Sequence, residues 1–193
     1  MEKTLIKPNF KDKVVVCIAS GASLTEQDCN LVRLSGLPTI VTNTTYQLCP
    51  WADILFGYDK KWWEYYIDDV KNVFRGRLMS YSGALTGLGV DNLSMTNWFK
   101  NFQHSGACII GLAIECGASK VILLGYDCKV GDKAHWHGNH PDGFRNCKSI
   151  DSWHIHHEEV RKFADRKGCE VLNASRYTAL GCYKKVSLEA VLK

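Results

Sequence analysis

Short aliphatic runs, too brief for a helix and too unbroken for a half-exposed strand, recur along this chain and restrict what it can fold into. The first is residues 13–19, Lys-Val-Val-Val-Cys-Ile-Ala. Continuous β-branched runs of this kind belong to strands buried on both faces, as in parallel sheets. Further runs are read at residues 39–42, 52–57, 120–125 and 169–173, with a weaker one at 77–80. Between them lie helical patterns. Residues 25–35 place Leu31, Val32 and Leu34 on one side, with Thr25 as N-cap and Asp28 where a capping box usually has Glu or Gln. Residues 60–74 set Trp63, Tyr66, Ile67 and Val70 at helical spacing, and residues 106–116 are small and apolar. A helix capped by Asp151 or Ser152 is expected to run to about Lys167 and stop at Gly168, and a last helical turn is expected at 188–192. Residues 81–92, with Gly83, Gly87 and Gly89, read as a flexible loop, and residues 126–150 as a long one.

Strands alternating with helices predict an α/β chain: a single-domain, Rossmann-like, doubly wound, mostly parallel sheet with helices on both faces. The length, 193 residues, suits one domain spanning 1–193. The apolar fraction of 46% and charged fraction of 23% are those of an ordinary globular chain. The charged start, Met1 to Pro8, is not a signal peptide, and no run reaches membrane-span length, so a cytoplasmic protein without membrane contact is expected. Nine cysteines without a C-x-x-C pair read as reduced thiols, with Cys17, Cys108 and Cys116 in core elements. A net charge of +4 permits nucleic acid as an acceptor without indicating it, and a homo-oligomer is compatible with the composition.

Chemistry concentrates after the strands. Six of the seven histidines fall between His135 and His157, following the run that ends Leu123-Leu124-Gly125-Tyr126-Asp127. Ligands of open α/β sheets bind at strand C-termini, and imidazole moves protons near neutral pH. His135, His137 and His140 are therefore candidates for a general base. A zinc site from the same three with Cys147 is the rival chemical reading, while His154, His156 and His157 suit surface or packing roles. The turn Ser20, Gly21, Ala22, Ser23 joins the first strand to the first helix, where backbone N–H groups can receive a phosphate, though a plain connection is equally common. Asn43 ends the second strand and suits a ribose or base edge, or a turn. Ser105 and Gly106 open the small-residue helix, with Ser105 read as N-cap and anion contact together. Asp59 and Asp127 end strands and suit acceptor or metal contacts. Trp62, Trp63, Tyr65 and Tyr66 are read as packing partners of the sheet.

In this order the segments resemble the MptE-like superfamily, which includes archaeal 6-hydroxymethylpterin diphosphokinases and is related in fold to bacterial sialyltransferases. The resemblance rests on Gly21-Ala22-Ser23-Leu24 after an apolar strand, where those families have G-P-S-L. It rests also on Ser105-Gly106 through Asp127, similar to an S-G…A…LG…I-x-L-x-G-x-D block, and on the following loop His135-Trp136-His137-Gly138-Asn139-His140. The ending Val171 to Ser175 with Val186 to Glu189 is similar as well. The resemblance implies that Ser20 to Ser23, Asn43, Ser105, Gly106 and Asp127 surround a nucleotide and that a loop histidine, with His140 the best match, acts as base. Ala22 departs from the family proline, and the chain is short for the lid of the sialyltransferases. The activity implied is that of a transferase with a nucleotide or nucleotide-sugar donor, glycosyl transfer slightly ahead. Its alternatives are a diphosphokinase with Mg2+ near Asp59 or Asp127, and a non-catalytic nucleotide-binding module.

Overall fold

A computed structural model describes residues 7–93, 104–129, 133, 135–141, 143–144 and 151–192. Its strands are β1 (Val14–Ile18), β2 (Thr39–Thr42), β3 (Ile54–Gly57), β4 (Arg77–Ser80), β5 (Asp91–Asn92), β6 (Lys120–Leu124), β7 (Glu170–Asn173) and β8 (Lys184–Lys185). Its helices are α1 (Glu26–Ser35), α2 (Lys60–Val73), α3 (Ser105–Glu115), α4 (Asp151–Lys167) and α5 (Leu188–Val191), with 3-10 turns at Asn43–Gln47 and Gly83–Leu88. The strands form one sheet in the order β5-β4-β3-β2-β1-β6-β7-β8, and every pairing is parallel. The chain winds outward from β1 to β5, then returns to the other side of β1 and winds outward again. This is a Rossmann-like, doubly wound α/β fold, with its switch point between β1 and β6.

Alternation along each strand feeds two cores. Val15 and Cys17 of β1 and Val121 and Leu123 of β6 pack with α3 and α4. Val16, Ile18, Ile122 and Leu124 face the opposite way, into the layer of α1, α2 and α5. Burial of both faces is why these strands read as unbroken apolar runs. Thr25 caps α1 as expected, its hydroxyl oxygen accepting the Asp28 N–H at 3.2 Å, and Gly168 ends α4 with φ of 67°. Cys17 and Cys108 are buried, and Cys116 is half-buried. Among the described residues, no helix is long and apolar enough to cross a membrane.

Residues 81–92 are more ordered than their glycines suggest. Leu85 and Val90 are buried, anchoring the 3-10 turn and the edge strand β5 to the α2 layer. Ser105 is not the cap of α3. His104 is, its Nδ1 accepting the Ala107 N–H at 3.3 Å, and Ser105 is the first helical residue.

Candidate functional site

Parallel strands bring the candidate residues to one edge of the sheet, the C-terminal one. At the switch point, residues 20–23 follow β1 and residues 125–127 follow β6. They meet each other directly. The Gly21 N–H donates to the Gly125 carbonyl at 2.8 Å. The Ser23 N–H and hydroxyl donate to the two carboxylate oxygens of Asp127, both at 2.7 Å. A Cβ on Gly21 would overlap Asp127 Oδ1 and lie 2.5 Å from the Gly125 carbonyl oxygen, so only glycine admits this approach. Burial pushes the Asp127 carboxyl up from its ordinary value, and the Ser23 bonds pull against that shift. The expected phosphate cradle therefore has its Gly21 and Ser23 amides committed inside the protein. Asp127, with both oxygens accepting from Ser23, braces the turn.

The half of the edge above β2 and β3 differs. Asn43 follows β2 with φ of 47°, in the left-handed region that Asn tolerates better than most residues. Tyr58 and Asp59 follow β3. Ser105 at the start of α3 ties these segments together, its Oγ accepting the Tyr58 N–H at 3.1 Å and donating to Asn43 Oδ1 at 3.4 Å. Tyr126 steadies the same turn by donating its hydroxyl to the Gly106 carbonyl at 2.9 Å. The amides of Ser105 and Gly106 belong to the first turn of α3, where N–H groups have no intrahelical acceptor and the helix dipole favours an anion. Tyr58 stacks on Tyr81 beyond β4, ring centroids 5.9 Å apart.

The histidine loop covers this edge from the α2 side. Ser20 Oγ lies 2.9 Å from His135 Nδ1, and the Trp136 N–H donates to the Ser20 carbonyl at 3.0 Å. Farther along, Lys61 Nζ donates to the Gly143 carbonyl at 2.6 Å and Phe144 packs on Tyr65 with centroids 5.2 Å apart. Three imidazoles gather between these anchors, with His140 4.5 Å from His135 and 5.3 Å from His137 by ring centroid. Burial, then the neighbouring imidazoles, lowers His135 and His137 to about 4. Burial also lowers His140, but the Asp59 carboxylate acts in the opposite direction. Asp59 is the N-cap residue of α2, yet its side chain makes no capping bond. Among the described residues, no group of three or more His, Cys, Asp or Glu is placed to hold a metal ion. Cys147, the fourth ligand of the zinc reading, lies outside the described residues.

The sequence reading missed a second imidazole group, between α3 and α4. His157 is fully buried, its ring 5.0 Å from that of His104. The Tyr183 hydroxyl donates to the His157 carbonyl at 3.0 Å and lies 3.2 Å from His157 Nδ1. His104 is isolated in sequence from the other histidines, and imidazole is not among the usual N-caps, so no local signal marks it. Tyr58 and Tyr81 were also missed; their position directly after β3 and β4 was the available clue. A groove of about 460 Å3 lies at the β7 end of the edge, lined by Asp28, Arg176, Lys185, Ser187 and Glu189 among others. Asp28 holds Arg176 there through two hydrogen bonds of 2.7 and 2.9 Å. None of the described histidine-loop residues lines that groove.

No family model matches the chain, and no curated protein matches it. Among solved structures, the chain is similar to a short-chain dehydrogenase from Oenococcus oeni PSU-1, at 12% identity over 95% of this chain and 88% of that one, with a TM-score of 0.31. A likeness of that size carries no argument about activity.

Proposed function

We propose that the protein is a transferase that takes a group from an activated nucleotide, with a sugar as the transferred group and a hydroxyl compound as acceptor. The observation that carries this reading is the convergence of Asn43, Tyr58 and the first turn of α3 on Ser105 at the C-terminal edge of the sheet, the edge at which the His135, His137 and His140 rings gather. A neutral His140 would accept the acceptor's proton, and Asp59 would stabilise the imidazolium that results. The Ser105 and Gly106 amides would hold the departing phosphate, whose negative charge grows as the bond breaks. Asn43 offers a donor and an acceptor for the nucleoside. Residues 20–23 and Asp127 would shape the wall of the cleft, with Ala22 supplying at most one further amide.

Diphosphoryl transfer is less well supported. Magnesium at such sites takes one or two carboxylates plus phosphate oxygens, and both Asp127 oxygens already accept from Ser23. Of the two candidate carboxylates, Asp59 alone would be left to hold the ion. Thermal-shift measurement against CMP, UDP, GDP and ADP and their sugar and triphosphate forms, with and without magnesium, tests the proposal. A rise in Tm specific to one base is expected, and it should not need magnesium. Flat melting curves across the panel would reject it, and a rise without turnover that His140→Gln alters would favour a binding module.

A further inference from the structure

Ser20, in the wall of the cleft, and His135 make a contact that has the form of an activated nucleophile and its base. The 2.9 Å separation of Ser20 Oγ from His135 Nδ1 falls within the range over which a histidine activates a serine. Ser20 stands where β1 gives way to the turn before α1, and both residues are only half-buried. The ring is held in place. Trp136 donates its N–H to the Ser20 carbonyl at 3.0 Å, His135 bridges to Gly138, and the His137 ring stacks on His135 at 5.1 Å.

The ring is neutral near physiological pH. Burial and the nearby His140 and His137 keep the His135 ring neutral, with a pKa of about 4, while the Ser20 backbone acts in the opposite direction. That same backbone group would stabilise the imidazolium once the ring has taken a proton. The expected electrophile can be argued from what the turn lacks. The amide after the nucleophile commonly helps to hold an oxyanion, but the Gly21 N–H donates to Gly125. Substrates that need little oxyanion support are those with a stable leaving anion.

We propose that Ser20 is a nucleophile with His135 as its general base, and that the pair attacks activated carboxylic esters. Ser20 Oγ bonds to the acyl carbon as its proton passes to His135 Nδ1. The carbon–oxygen bond to the leaving group breaks, and the leaving oxygen departs with the electron pair and takes the proton from His135. Water, deprotonated by the same ring, then attacks the acyl-serine, releasing the carboxylic acid and restoring the hydroxyl. This proposal does not rest on nucleotide binding, and a silent nucleotide panel leaves it intact.

The test is covalent labelling of the full chain with diisopropyl fluorophosphate, followed by intact mass and peptide mapping. Here the Oγ–P bond forms, the P–F bond breaks, and fluoride leaves as the proton moves to His135. One adduct per chain is expected, on the peptide containing Ser20. His135→Phe should slow labelling by about 100-fold or more, within the usual range for general-base loss. The wild-type rate should be level between about pH 6 and pH 8 and fall in more acidic buffer as the ring protonates. Ser20→Ala should abolish the adduct; should that variant fail to fold, the wild-type map alone decides. The absence of an adduct at Ser20, or a rate that His135→Phe leaves unchanged, overturns the proposal.

Discussion

The two halves of the sheet's C-terminal edge use similar residues for opposite ends. Above β1 and β6, at the switch point where open α/β sheets usually take ligands, Gly21, Ser23, Gly125 and Asp127 bond to one another. Above β2 and β3, Asp59 makes no capping bond, and Ser105 and Gly106 open α3, where N–H groups have no intrahelical acceptor. The difference teaches that a glycine turn and a strand-terminal aspartate do not by themselves make a ligand site. What matters is whether their hydrogen-bonding groups are already committed.

Substitutions can break this contrast, and the largest effect belongs to the closed half. Gly21→Val should destabilise by about 3 kcal/mol in urea unfolding, because its side chain meets Asp127 and the Gly125 carbonyl with no space to yield. Asp127→Ala leaves the Ser23 N–H and hydroxyl without their acceptor and should cost about 2 kcal/mol; Asp127→Asn, which keeps one acceptor oxygen, should cost less. Ser105→Ala should cost about 1 kcal/mol through the Tyr58 N–H, and it should weaken nucleotide binding where Asp127→Asn leaves it nearly unchanged. Asp59→Asn, at an exposed site, should alter stability by less than about 0.5 kcal/mol. Its signature is the His140 titration seen by NMR, which should move to lower pH once the opposing carboxylate is gone. No movement would remove Asp59 from the proposed base.

Acid should act through the histidine loop and through the buried His104 and His157, whose values burial lowers as well. His135 and His137 have folded-state values of about 4 against an ordinary 6.5. Between those values the unfolded chain binds protons that the folded chain does not, so stability should fall as pH drops from about 6.5 toward 4. Above 6.5 these groups should leave stability flat. Replacing both by Gln should shallow the acid limb of Tm against pH, and an unchanged limb would place the titrating groups elsewhere.

Much of the fold is legible in the sequence because its strands are buried on both faces and carry their pattern in consecutive residues. Thr25 with Asp28 and the stop at Gly168 are local signals too, and both hold. Strands β5 and β8, two residues each, carry no period to read. The site is less legible because its decisive bonds are long-range. Asp127 and Ser23 are 104 residues apart, and nothing local to either says that they accept and donate to each other. The histidine loop was visible as a cluster, but its attachment to Ser20, 115 residues away from His135, was not.

Hydrogen exchange with and without a nucleotide that raises Tm tests the contrast most directly. The account predicts slowed exchange at Ser105 and Gly106, with Gly21, Ser23 and Tyr126 unchanged because their amides are bonded before the ligand arrives. Protection confined to residues 20–23 and 125–127 would contradict it and return the binding site to the switch point.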